Sequence, residues 1–201
     1  IFHDQRGSGQ STPFGSTEHN NTQDLVEDIN KLRDHIQIKG KHSFFGGSWG
    51  SCLALVYAIS YPDNVKSMVL RGIYTGTKTE TDYIQQGGIG QYYPETWERY
   101  IELVPEERRN DTVNYYLEQM SSNDTAVADE HIRRWVQNEV VGASIDTDIK
   151  RILTITAPIA YTERAIALLE AHYFANNCFI EDEYILKNAS KLKGINITLV
   201  Q

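Results

Sequence analysis

His42-Ser43-Phe44-Phe45-Gly46-Gly47-Ser48-Trp49-Gly50, followed by Ser51-Cys52-Leu53-Ala54-Leu55-Val56-Tyr57-Ala58-Ile59, is the stretch that decides the fold. Its first four residues are β-prone, and its last eight are nearly all apolar and helix-compatible. Between them Gly46 to Gly50 reads G-x-S-x-G, which sets a serine on a sharp strand-to-helix turn. Such a turn pushes the hydroxyl out above a sheet, and small flanking glycines let it close. The positive end of the following helix then favours developing negative charge. Ser48 is the candidate nucleophile, and the backbone N–H of Trp49 is one of two candidate donors to an oxyanion.

Upstream of this turn, Asn21-Thr22-Gln23-Asp24 has the pattern of a helix cap, a polar N-cap followed three residues later by a carboxylate. Leu25, Ile29, Leu32 and Ile36 follow at helical spacing, and Gly40 is the expected stop. Earlier still, Gln5 to Thr17 is rich in Gly, Ser and Thr and reads as a loop leaving a strand that ends at Ile1-Phe2-His3-Asp4. Downstream, Pro62 stops the apolar helix and Val65-Lys66-Ser67-Met68-Val69-Leu70 reads as another strand. Strand, helix, strand, helix, strand over residues 1–71 is the signature of a parallel sheet wrapped by helices.

The pattern changes after that point. From Ile73 to Ser190 no buried strand is evident, and amphipathic stretches such as Thr112–Met120, Asp129–Val141 and Tyr161–Phe174 suggest helices. A helical block between sheet strands is expected to be an inserted cap. The expected layout is therefore α/β: a partial core over 1–72, a helical cap over 73–190 and a return to the sheet over 191–201. Because the chain opens without Met on Ile1-Phe2-His3-Asp4 and stops in the apolar run Ile195 to Gln201, it reads as an internal segment of a longer protein, with both ends of the core missing.

Bulk properties narrow the function. The 201 residues are 40% hydrophobic, enough for a sizeable core. A net charge of −8 and the lack of any basic cluster argue against nucleic acid and anionic membranes as partners. No run of 18 apolar residues is present, and two cysteines make no disulfide framework, so a cytoplasmic location is the default. No Cys/His spacing suggests a metal.

Asp4-Gln5-Arg6-Gly7-Ser8-Gly9-Gln10-Ser11-Thr12-Pro13 resembles the D-Q-R-G-x-G-x-S-x-P segment of the proline iminopeptidases, which are α/β-hydrolases. Gly46 to Ser51 with Leu53-Ala54-Leu55 resembles that family's nucleophile elbow and following helix. Val69-Leu70-Arg71-Gly72-Ile73, Tyr92-Tyr93-Pro94-Glu95-Thr96-Trp97 and Glu170-Ala171-His172-Tyr173-Phe174 are similar to three further motifs in the family's order. The resemblance implies an α/β-hydrolase fold and a serine aminopeptidase that releases N-terminal proline from small peptides through an acyl-enzyme, with no metal or organic cofactor. It also implies that the triad Asp and His would lie beyond Gln201 and the Gly-rich oxyanion loop before Ile1. The segment alone is accordingly expected to be inactive. None of the six histidines is a candidate base.

An aminopeptidase must hold a cationic N-terminus, and a partly desolvated cation calls for carboxylate acceptors. The resemblance places two such glutamates in the cap. Glu170 matches E-x-H-Y-F. Glu139 ends a pattern that the family writes W-x-x-W-E and that here reads Trp135-Val136-Gln137-Asn138-Glu139, with Asn138 in place of the second Trp. Tyr74 and Tyr83 resemble residues lining the proline pocket, where an apolar ring is suited by aromatic walls. The competing reading is that both glutamates are solvated helix residues, two among 27 acidic ones, and that the tyrosines simply pack. Arg6 and Arg71 read as structural, and Cys52 as a small buried hydrophobe. Two other functions fit the same core: a carboxylesterase, which has no use for paired cap carboxylates, and a binding protein that has lost its chemistry.

Overall fold

The computed structural model describes residues 1–143, 148–155 and 157–201. In chain order the regular elements are α1 (Thr22–His35), β1 (His42–Ser48), α2 (Trp49–Ser60), β2 (Val65–Ile73), α3 (Lys78–Gln85), α4 (Pro94–Glu102), α5 (Thr112–Met120), α6 (Thr125–Gly142), α7 (Ile149–Leu153), α8 (Tyr161–Ala175), α9 (Tyr184–Lys187) and β3 (Asn196–Val200). They fall into two compact units. A sheet unit comprises residues 19–80 and 177–201, and a helical unit comprises residues 1–18 and 81–176.

The sheet unit is built on three parallel strands in the order β1-β2-β3. Phe44 lies opposite Met68, which lies opposite Ile197, and Phe45 lies opposite Val69, which lies opposite Thr198. Met68 and Leu70 are buried while Val69 is exposed, and Phe45 is 72% exposed, so one face of the sheet is covered and the other is open. β3 lies last in the order of these three strands, and Leu199 and Val200 are exposed within residues 1–201.

α2 packs on β1 and β2. Every residue from Ser51 to Ile59 is buried, so the helix has no polar face to turn outward and acts as a core rod. Leu53, Leu55, Val56 and Ile59 each contribute about 1.5–3 kcal/mol by leaving water. Its end is set by Tyr61, whose successor Pro62 disfavours a helical conformation. α1 is capped as its sequence suggests, with the Asn21 side chain accepting from the Asp24 N–H at 2.9 Å. It stops at His35, five residues before the expected Gly40, because Gln37 takes the left-handed turn at φ 58°.

The helical unit has no strand among its described residues. Ile1 and Phe2, expected as the end of a strand, are fully exposed coil. Asp4 is instead drawn into a local loop: its carboxylate accepts from the Gln10 N–H at 2.9 Å and its carbonyl from Ser11 Oγ at 2.8 Å. The core of the unit is aromatic. The rings of Tyr100 on α4 and Tyr116 on α5 stack at 4.2 Å and 2°, with Trp135 of α6 tilted against both. Ala167 and Ala171 of α8 are fully buried in the same cluster. The buried hydroxyls are satisfied, Tyr100 donating to Gln85 Oε1 and Tyr116 to the Tyr100 carbonyl.

Candidate active site

The turn at the end of β1 is held by backbone geometry. Ser48 adopts φ 50° and ψ −121°, a conformation that few non-glycine residues take and that costs on the order of 1–3 kcal/mol. Its side chain is exposed and it directly precedes the first turn of α2, where the helix dipole is positive. Trp49 opens that helix. The two motif glycines are not equivalent. A Cβ on Gly46 would collide with the Gly50 carbonyl, whereas a Cβ on Gly50 would meet nothing within 4 Å. Close passage of the chain therefore requires glycine at Gly46, and tight closure places no such demand on Gly50.

A neighbour given no role by sequence reasoning completes the turn. Ser51 is fully buried, and its Oγ donates to the Ser48 carbonyl at 2.6 Å and accepts from the Tyr74 N–H at 2.9 Å. One hydroxyl thus ties the strained turn to the segment leaving β2. Its sequence signal, a serine directly after the motif, was visible, but its partner lies 23 residues away. Tyr74, expected to line a proline pocket, is buried with its hydroxyl 3.4 Å from Cys178 Sγ. The Arg71 side chain lies over Gly47. Cys52 is fully buried, and burial, with Cys178 and Glu80 nearby, pushes its thiol far above the ordinary range, so it supplies no thiolate.

In the helical unit the structure brings Glu139 and Glu170 together. Trp135 and Glu139 lie one turn apart on α6, and Trp135 Nε1 donates to Glu170 Oε2 of α8 at 2.6 Å. Burial, then the nearby Glu139 carboxylate, raise the Glu170 carboxyl to about 8, against the opposing pull of the Trp135 hydrogen bond. Burial raises Glu139 as well. Two neighbouring carboxyl groups partly withdrawn from water resist ionising together, which favours a proton retained between them. An entering cation would favour its loss. Asn138, beside Glu139, is 1% exposed, and among the described residues neither its Oδ1 nor its Nδ2 has a hydrogen-bond partner.

Tyr83, also expected near proline, is half exposed at the end of α3, where it hydrogen-bonds Tyr92. His131 packs edge-on against Tyr115 and Tyr116, with Nδ1 2.8 Å from the Val127 carbonyl, a structural setting. Among the described residues no three His, Cys, Asp or Glu side chains gather into a metal-holding group. Among the same residues no helix is long and apolar enough to cross a membrane.

A family model described as the alpha/beta hydrolase fold matches residues 1–153. Over 203 residues the chain is 39% identical to the proline iminopeptidase of Arabidopsis thaliana, covering 100% of this chain and 53% of that one. It is 35% identical over 202 residues to a probable proline iminopeptidase of Leptolyngbya boryana, covering 100% and 62%. With the proline iminopeptidase of Neisseria gonorrhoeae the identity is 38% over 208 residues, covering 100% and 63%. The chain thus spans between about half and just under two thirds of the length of these relatives.

Proposed function

The chain belongs to the α/β-hydrolase fold family, and on that footing we propose that it carries the nucleophile and the cap of a serine aminopeptidase that releases N-terminal proline from small peptides. Similarity along its whole length to proline iminopeptidases supports this reading. The observation that carries it is the half-buried pair Glu139 and Glu170, close enough for one carboxylate to raise the other, with Glu170 held on the Trp135 indole, since a neutral ester gives no reason to draw two carboxylates together away from water. In the proposed division, residues 1–72 are partial core, 73–190 cap and 191–201 a return to the core, acting in the cytoplasm.

In the proposed reaction Ser48 Oγ attacks the carbonyl carbon of the N-terminal residue. Its proton passes to a base supplied from outside residues 1–201, and the carbonyl π electrons move to oxygen. The Trp49 N–H donates to that oxyanion, and the dipole of α2 adds to the stabilisation. Collapse of the intermediate breaks the C–N bond, and the base returns the proton to the leaving amine. Water then repeats the sequence on the prolyl ester and frees Ser48. The strained Ser48 backbone suits this role, because the hydroxyl is presented without any rearrangement. Glu139 and Glu170 accept hydrogen bonds from the cationic N-terminus and draw it out of water, while Tyr74 and Tyr83 are proposed to flank the ring. Residues 1–201 alone, without the base, are proposed to be inactive.

The test is a comparison, in the natural full-length protein, of a prolyl amide with a free N-terminus, its N-acetylated form and a short acyl ester, with Ser48→Ala as control. The free prolyl amide should be preferred by orders of magnitude, and Ser48→Ala should abolish its turnover. Equal use of the blocked amide, or preference for the ester, would replace the peptidase reading with a carboxylesterase.

A further inference from the structure

We propose that Ser51 is a positioning residue for the oxyanion donor: its hydroxyl orients and polarises the peptide group whose N–H belongs to Trp49. The proposal rests on the serine-nucleophile reading above and adds to it a residue that acts through that peptide group and not on the substrate.

The carbonyl of Ser48 and the N–H of Trp49 are the two ends of one planar, trans peptide group, so they point in opposite directions and turn together. Ser48 ψ, −121°, sets where that plane faces, and it belongs to a conformation that the turn must hold against strain. Ser51 Oγ donates to the Ser48 carbonyl at 2.6 Å and accepts from the Tyr74 N–H at 2.9 Å. The Tyr74 carbonyl is a rival acceptor, but at 3.4 Å it loses the single hydroxyl proton to the shorter contact. As the N-cap, Ser48 already gives one lone pair of its carbonyl to the first backbone bond of α2, and Ser51 takes the second. Ser51 is fully buried, so bulk water does not compete for its hydroxyl. A continuous relay results, from the Tyr74 N–H through Ser51 Oγ–H and the Ser48 carbonyl to the Trp49 N–H. Each hydrogen bond in such a chain strengthens the next, by about 10–30%. Removing an oxyanion donor outright costs about 10²–10³ in kcat, and Ser51 tunes a donor without supplying one, so its share is smaller.

The experiment compares the natural full-length protein with its Ser51→Ala and Ser51→Cys variants, with thermal midpoints measured alongside. Turnover of a prolyl amide is read beside inhibition by pyrrolidine-2-boronic acid and by prolinol. The boronic acid takes Ser48 Oγ onto boron and so carries the negative charge of the tetrahedral intermediate, whereas prolinol offers the same ring and ammonium with no centre to attack. Ser51→Ala should lower kcat/KM about 3- to 30-fold and weaken the boronic acid by a similar factor, while prolinol inhibition stays within about twofold. Ser51→Cys fills the same space with a weaker donor and should fall between the two. The proposal is overturned if both variants keep native turnover and boronic acid inhibition while only the thermal midpoint drops, which would make Ser51 a purely structural tie. It is overturned equally if prolinol inhibition falls as far as the boronic acid, which would mean a general loosening of the site. Turnover that survives Ser48→Ala would instead sink the serine-nucleophile reading first and take this inference with it.

Discussion

The two units prepare their functional groups by opposite means. In the sheet unit a single serine is set by the backbone: Ser48 sits in a strained turn, Gly46 leaves room for Gly50 to pass, and Ser51 pins the turn from below. In the helical unit the backbone is ordinary helix, and the side chains carry the tension, as two neighbouring carboxyl groups are partly withdrawn from water and one of them is held by the Trp135 indole. Strain in a turn can be written in five consecutive residues. Desolvation needs neighbours from distant parts of the chain, here a donor and acceptor 35 residues apart. This difference separates what can be read locally from what packing must supply, and it predicts different failures when each site is perturbed.

The largest effect should come from the backbone side. Gly46→Ala puts a methyl group into the Gly50 carbonyl, so the turn must open or β1 must shift. A loss of about 3 kcal/mol or more is expected in chemical denaturation, together with loss of labelling at Ser48. Gly50→Ala meets nothing within 4 Å and lies in the first turn of a helix, so its stability should stay within about 1 kcal/mol of the native protein. Equal damage from the two would erase the asymmetry between the motif glycines.

The helical unit should respond to pH instead. Glu170 is raised to about 8 in the folded protein, against about 4.3 for a solvated glutamate, so between these values the folded state binds the extra proton. Stability should therefore fall as pH rises from about 4.3 to 8 and flatten above that, since deprotonation leaves a buried charge beside Glu139. Glu170→Gln should abolish most of this slope and stabilise the protein at pH 8 by on the order of 1–3 kcal/mol. Thermal midpoints of both proteins measured from pH 5 to 9 would check it: a flat profile would mean that the pair is solvated, and a slope of the opposite sign that the folded protein favours the charged carboxylate.

The smallest effect sharpens the strain argument. Ser48→Gly relieves a positive φ and should stabilise the protein by about 1 kcal/mol or less, part of the gain being offset by the extra freedom of glycine when unfolded. Denaturant midpoints of Ser48→Gly and Ser48→Ala should differ in favour of Gly. The reverse order would remove strain from the account.

Legibility followed the same division. The strand, turn and apolar helix around Ser48 were readable because each is a local pattern, and helices α5, α6 and α8 were readable from their periodicity. The end of α1 was missed because a left-handed Gln37 did what Gly40 was expected to do. Ile1 to Asp4 look like a strand by composition, yet the carboxylate and carbonyl of Asp4 serve the following loop. Ser51 escaped notice because its partner is the Tyr74 N–H, reached only after β2 has paired with β1. The tie between Trp135 and Glu170 was equally hidden: both residues stood in recognisable motifs, but only the packing of α6 on α8 makes one the donor to the other. Asn138 departs from the family pattern, and it is buried with neither polar atom hydrogen-bonded among the described residues.

The most direct test of the central claim, that Ser48 performs the chemistry and the carboxylate pair selects the substrate, is one paired measurement on the natural full-length protein and its Glu139→Gln/Glu170→Gln variant. Turnover of a free prolyl amide is measured beside the rate at which a neutral organophosphonate labels Ser48. The account predicts that the variant loses at least a hundredfold in kcat/KM for the amide while the labelling rate stays within a few fold. Loss of both together would contradict it by making the glutamates structural supports, and loss of neither would show that the pair takes no part in holding the substrate.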